Sequence, residues 1–261
     1  MNRGYIEKPA GLEEFTDIIE ENCFKADVYR WLGYRHNHYI VNLDRGNGRT
    51  TLVRYMTEMY GAWGVCSFKN SRRKYLEFCL DGSSSQLDRV FAEIALWAEH
   101  GDHFDGIVAL DVTVFAHCAV RKSDSQLFER FVHHCREICD RTYFVFFTSS
   151  VMDKREIVFC DKLQSRIPDV QQVFLSPYTA EDIADIMEKS FVERGMHIED
   201  YEEFHAVLTE FADDFGITDV REAMLRARQL AEYADTDQLL PVLNAEAIEK
   251  LVDHWQRYGQ L

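Results

Sequence analysis

The sequence predicts an α/β fold, a parallel sheet flanked by helices, followed by a small all-helical domain. Three observations predict it. Two short runs, Ile107-Val108-Ala109-Leu110 and Tyr143-Phe144-Val145-Phe146-Phe147, are apolar without alternation, as strands buried on both faces of a parallel sheet must be. Short apolar runs of this kind alternate with stretches of helical period, the pattern of successive βα units. Beyond Pro177 the alternation stops and only helical patterns remain. The expected domains are therefore residues 1–177, α/β, and 178–261, helical, both of ordinary domain size.

Taken in order, residues 11–32 space Phe15, Ile18, Ile19, Phe24, Val28 and Leu32 as a lead-in helix, broken in the middle. Tyr39, Ile40 and Val41 form the first strand. It enters a glycine-bearing turn at 43–51, after which Leu52, Tyr55, Met56 and Met59 recur at helical spacing. Residues 75–80 read as a second strand stopped by Asp81-Gly82. The serines at 83–85 cap a helix carrying Leu87, Val90, Phe91, Ile94 and Trp97. The third strand, 107–110, ends on Asp111. A helix over 123–140 leads to the fourth strand, 143–147, which ends on Thr148-Ser149-Ser150. The fifth, 170–175, is closed by Ser176-Pro177. Thr179 and Asp182 then make a capping-box pattern, and further helices are expected near 201–213, 218–234 and 244–257, with no strand among them.

Composition narrows the function. The 261 residues are 46% hydrophobic and 28% charged, ordinary for a globular protein. A net charge of −16 repels phosphate backbones, so nucleic-acid binding fits poorly without a local basic patch. The two short basic stretches, at 71–74 and 221–228, do not make a clear one. No apolar run approaches the roughly 20 residues of a membrane span. The N-terminus, MNRGYIEKPAGLEEF, lacks the apolar core of a signal peptide. Seven cysteines without a regular framework read as reduced thiols. A cytoplasmic protein is expected.

The turn at 43–51 is where the chemistry concentrates. A P-loop reads G-x-x-x-x-G-K-[ST]. Its backbone N–H groups and helix N-terminus cradle phosphates, its Lys reaches the β/γ oxygens, and its hydroxyl holds Mg²⁺. Here Gly48 keeps the second glycine, Thr50 the hydroxyl, with Thr51 following, and Gly46 and Asn47 lie inside the turn. Leu43 replaces the first glycine and Arg49 the lysine. Arginine keeps the charge, but its planar fork is not a compact ammonium. The bland alternative is an ordinary strand–turn–helix whose glycines serve the turn. Ligands of open α/β sheets sit outside the carboxyl ends of the strands, so 46–51, Asp111 and Thr148 are expected to converge on one edge.

In this order the pieces resemble an AAA+ ATPase, most like the branch of red-type Rubisco activase and the stage V sporulation protein K group. The resemblance runs from about Gly11 to the last helix. It implies a sheet of order 5-1-4-3-2 and a helical lid. It maps the Walker A loop, GNPGTGKTT in that branch, onto 43–51. It makes Gly46, Asn47, Gly48, Arg49, Thr50 and Thr51 binders of ATP or ADP, and Thr50 with Asp111 the holders of Mg²⁺. Asp111 is the Walker B aspartate, Thr148 or Ser149 sensor 1, Arg166 in Leu163-Gln164-Ser165-Arg166-Ile167 the arginine finger, and Arg221 sensor 2. It also implies a protein partner, such as a second AAA+ subunit, in a homo- or hetero-oligomer.

The departures matter. Val112 stands where the Walker B glutamate belongs, and valine exchanges no proton. Loss of a general base costs roughly 10²–10⁴-fold. The expectation is a degenerate domain that binds nucleotide with weak or absent hydrolysis and regulates or remodels a partner. The alternatives are an active ATPase in which Asp44 or Glu77 activates water, a scaffold that has lost its ligand, and a DNA-loading ATPase, which the charge disfavours. Elsewhere, His133, His134, Cys135 and Cys139 lie on one expected helix without the shared face a four-ligand zinc site needs. Residues 31–38 are an expected adenine neighbourhood on the resemblance alone.

Overall fold

The computed structural model describes residues 38–62, 75–99, 106–121, 125–140, 142–174, 178–194, 196–198, 200–236, 242–243 and 253. The expected lead-in helix, the adenine neighbourhood up to residue 37, the basic stretch at 71–74, Pro177 and most of the last helix lie outside them. The chain divides into two compact units, residues 1–45 with 49–176, and residues 46–48 with 177–261.

The first unit is built on five parallel strands: β1 (His38–Asn42), β2 (Tyr75–Cys79), β3 (Gly106–Asp111), β4 (Thr142–Thr148) and β5 (Val170–Phe174). Their order, β2-β3-β4-β1-β5, is the expected one read from the other edge. β-Branched and aromatic side chains dominate β1 and β4, the residues that fit a pleated buried surface. Every residue of β1 and β4 is buried.

Alternation sends each strand's side chains to two separate cores. On one face, Ile40, Val108, Leu110, Phe144 and Phe146 pack with Phe91, Phe115, Phe131 and Phe159. These four come from α2 (Ser84–Glu99), α3 (Thr113–Ala119), α4 (Ser125–Ile138) and α5 (Lys154–Arg166). Phe131 sits at their centre, 4.9 Å from the Phe115 ring and 5.9 Å from Phe146 and Phe159. On the other face, Tyr39, Val41, Ile107, Ala109, Val145 and Phe147 meet Leu52, Val53 and Met56 of α1 (Arg49–Ala62). Burying each such side chain contributes roughly 1.5–3 kcal/mol.

Two helices have no position assigned from the sequence, although the alternation of strands and helices implies one between β4 and β5. α3 spans seven residues, too short for a helical period to show. α5 opens with a full capping box, Asp153 accepting from the Glu156 N–H and Glu156 from the Asp153 N–H. That D-x-x-E signature is readable in the sequence and was the available signal.

The second unit holds α6 (Ala180–Glu193), α7 (Tyr201–Asp214) and α8 (Val220–Thr236). Thr179 and Asp182 form the anticipated capping box at the start of α6. Phe191 and Phe204 pack edge to face at 5.7 Å, and Val220, Ala223, Ala227 and Leu230 are the buried stripe of α8. The expectation of no strand here is corrected by a short parallel pairing, β6 (His197–Ile198) with β7 (Val242–Leu243). Two-residue strands carry no periodicity, so only the partner reveals them.

Candidate functional site

Strand register sets the site. Asn42 of β1 lies level with Thr148 of β4, and Asp111 of β3 level with Phe147, which brings three polar strand ends to the carboxyl edge. The chain leaves β1 with the Leu43 N–H donating to the Thr148 carbonyl at 3.1 Å. The turn then passes through Gly46 (φ 95°) and Gly48 (φ 83°), a left-handed region in which side chains are strained, and α1 begins at Arg49.

Arg49 folds back over the strand ends. Its Nε donates to the Leu43 carbonyl at 2.6 Å and its Nη2 to the Thr148 carbonyl at 3.0 Å. Its Nη1 lies 2.7 Å from Asp111 Oδ2, an ion-pair contact without the direction of a hydrogen bond. The guanidinium carbon stands 5.2 Å from the Phe147 ring centroid, and the side chain is only 10% exposed. A planar fork reaches these partners at once where an ammonium does not. Burial lowers the Arg49 pKa, and the Asp111 charge counters it.

Asp111 has a second arginine. Arg45 Nε donates to the same Oδ2 at 2.5 Å, while its Nη2 donates to Cys79 Sγ. The other oxygen, Oδ1, accepts the Thr113 N–H at 3.1 Å. Burial alone pushes the Asp111 carboxyl up. The Arg49 charge, the Thr113 N–H and the Arg45 hydrogen bond outweigh it and hold the pKa below the usual aspartate value. The same bond raises the pKa of Arg45.

The neighbouring groups are also committed. Thr148 is fully buried, and its hydroxyl accepts from Asn42 Nδ2 at 2.7 Å; Asn42 Oδ1 accepts from Gln172. Ser149 donates through both its N–H and its hydroxyl to Glu156 Oε1, at 3.1 and 2.8 Å. Asp44 accepts from the Ser150 N–H at 3.1 Å and from its hydroxyl. Thr50 is exposed at the start of α1, with its hydroxyl close enough to Glu77 to act on that carboxyl. The Glu77 carboxyl is pushed up by the atoms crowding it, although its residue stays open to solvent, and the Thr50 hydroxyl and the Arg54 charge pull it back. Val112 is fully buried in the apolar core, so it takes no part at the surface of the site.

These residues, so arranged, do not fit Mg²⁺. That ion wants near-octahedral oxygens, usually one or two carboxylates with waters. Both Asp111 oxygens are taken, and a divalent cation there faces two guanidiniums, each repelling it by several kcal/mol at contact distance and a surface-like dielectric of about 20. The expectation of Thr50 and Asp111 as metal ligands therefore has this geometry against it.

The remaining candidates lie elsewhere. Arg166 occupies the last turn of α5, where its Nη2 pairs with Glu129 at 3.1 Å; both side chains are half exposed. In the second unit, the Arg221 side chain is exposed, and its backbone N–H donates to the Gly46 carbonyl at 3.2 Å. Asn47 is buried there, its Oδ1 accepting the Val220 N–H at 3.1 Å and so capping α8. Thus Gly46 and Asn47 serve this unit's own helix. Thr51 lies in the first turn of α1. The sequence reading missed Arg45, Asn42 and Glu156; a basic residue inside the turn and a carboxylate in a D-x-x-E box were the signals present. Cys135 is fully buried, His134 stacks on Phe91 at 4.9 Å, and His133 pairs with Glu137, which are core and surface roles. Among the described residues no helix is long and apolar enough to cross a membrane.

No protein-family model matches this chain, and no curated protein sequence does. Solved structures do. RuvB of Thermotoga maritima, described as a Holliday junction branch migration motor, is similar at a TM-score of 0.54 over 94% of this chain and 72% of that one, with 12% identity. One variant of it is similar at 0.55 over 96% and 74%, with 13% identity. Another gives 0.51 over 93% and 69%, again with 13% identity. The likeness is one of fold, and with the β2-β3-β4-β1-β5 order it makes the α/β unit an AAA+-type fold.

Proposed function

We propose that this chain is a catalytically weakened AAA+ ATPase-like protein that takes nucleotide phosphates at residues 43–51, turns them over slowly or not at all, and regulates or remodels a protein partner. The observation that carries this reading is the Asp111 carboxylate shared by Arg45 and Arg49, where a working ATPase holds its metal. Buried Val112 adds to it, since no carboxylate follows Asp111 to orient water. Kinship with the red-type Rubisco activase and stage V sporulation protein K branch rests on the sequence motifs. Assembly with copies of itself or with another AAA+ subunit, a cytoplasmic location and a trans-acting Arg166 belong to the same proposal. A phosphate-release assay with ATP·Mg²⁺ tests it: turnover of about 1 s⁻¹ or more, the scale of ordinary enzymes, overturns the weakened-enzyme reading.

One observation favours a second reading, an active ATPase. Glu77 stands near the Thr50 hydroxyl and its pKa is raised, the direction that suits a general base. Under that reading Glu77→Gln abolishes a turnover that the wild type displays. A role on DNA, as the name of the branch migration motor states for RuvB, fits poorly with a net charge of −16.

A further inference from the structure

The place where a metal is expected holds two guanidiniums instead, and their geometry has a consequence for the ligand. Arg49 is nine-tenths buried, with its Nη1 making no directed hydrogen bond, and points at one oxygen of Asp111. Arg45, 56% exposed, reaches the same oxygen from the solvent side. Two cations on one carboxylate oxygen leave an excess of positive charge in direct contact. The next carboxylate, Asp44, is held by Ser150 and acts on Arg49 only at longer range. Guanidiniums bind phosphate as they bind carboxylate, through charge-assisted hydrogen bonds. A polyphosphate at this edge therefore competes with Asp111 for the two arginines.

We infer that the site takes the metal-free polyphosphate: Arg45 and Arg49 supply the counter-charge that Mg²⁺ supplies in a working ATPase, and Asp111 is an internal competitor that the phosphates displace. This rests on the nucleotide reading above and changes its chemistry. Complexation with magnesium removes two charges from ATP and shields the oxygens the arginines need, so it weakens binding. In a metal-dependent site the same ion strengthens it, and loss of the aspartate abolishes it. Here loss of the aspartate leaves both guanidiniums available and tightens binding.

The test is calorimetric titration of the full chain with ATP and with inorganic triphosphate, each in EDTA and in excess Mg²⁺. The proteins are the wild type, Asp111→Asn and Arg45→Ala, with the unliganded melting temperature of each recorded. The expected result is tighter binding in EDTA than in Mg²⁺, about tenfold tighter still in Asp111→Asn, and about tenfold weaker in Arg45→Ala, each tenfold being one lost or gained contact of ordinary strength. Arg45 is exposed, so its variant reports on binding even if Asp111→Asn does not fold. Binding of ATP that requires Mg²⁺ overturns the inference and leaves the nucleotide reading standing. Absence of binding by all three proteins in both buffers overturns both.

Discussion

Arg49 Nη1 lies 2.7 Å from Asp111 Oδ2, so the residue that the sequence pattern aligns with a P-loop lysine is ion-paired with the residue that it aligns with a Walker B aspartate. The contact closes a network. Through Arg49 the Leu43 and Thr148 carbonyls are tied to Asp111, and through Asp111 the start of α3 and Arg45 are tied in as well. Groups expected from the sequence to face a ligand satisfy one another in the described structure. That makes the edge of the sheet a structural element with its own stability, and each bond in it predicts something measurable.

Arg49→Lys loses the fork that spans two carbonyls and a carboxylate. Leaving buried acceptors short of a donor costs about 1–3 kcal/mol, so the urea midpoint falls. ATP turnover stays below about 1 s⁻¹, because Val112 is unchanged. Recovery of turnover by this single restoration of the lysine would mean that the arginine alone silences the site.

The pH dependence follows from the sign of the Asp111 shift. Its folded-state pKa is depressed, so its ion pairs contribute stability above the unfolded-state value, and this is lost as pH falls through the folded-state value. The stability gap between wild type and Asp111→Asn is expected to be full at pH 7 and to shrink below about pH 4. Denaturant melts from pH 7 to 3 check it; a gap that widens with acid contradicts the assignment. Glu77, shifted up, works in the opposite sense, its unfavourable contribution being relieved as pH falls.

Gly46→Ala places a Cβ 3.0 Å from Asp219 Oδ1 at φ 95°. A non-glycine residue held there costs roughly 1–3 kcal/mol. The melting temperature drops, and amide exchange speeds up first at Val220 and Arg221, whose N–H groups bond Asn47 and Gly46.

Phe131→Ala removes the ring that touches Phe115, Phe146 and Phe159. The expected loss is about 3–5 kcal/mol, against about 0.5–2 kcal/mol for Asp153→Ala, which removes the cap of α5 and an exposed contact with His117. Paired equilibrium melts rank the two.

Arg166→Ala breaks an exposed pair with Glu129, worth about 0–1 kcal/mol. Stability should hardly change. A fall in the ATPase rate of an added AAA+ partner, with the melting temperature unmoved, marks a finger acting in trans; an unchanged rate returns Arg166 to the surface.

What was legible followed from local patterns. Continuous apolar runs in β3 and β4 announced strands buried on both faces, and the Thr179–Asp182 box announced α6. The seven residues of α3 and the two of β6 stayed hidden because no period repeats within so short a length. Asp111 and Thr148 were singled out because each ends an apolar strand. Arg45 was passed over as one more turn residue, since nothing nearby in the chain marks its partner 66 positions away.

The sequence by itself determined which residues stand at the carboxyl ends of the strands, because side-chain alternation and burial are properties of each strand's own residues. Only the tertiary structure decided what those residues do to one another. The register of β1, β3 and β4 brings Asp111 beneath Arg49, and a buried guanidinium takes the nearest carboxylate and carbonyls because an unpaired charge in that position is too costly to leave. That one pairing joins the turn after β1 to the end of β3 in a single ion cluster, and no spacing rule along the chain expresses it.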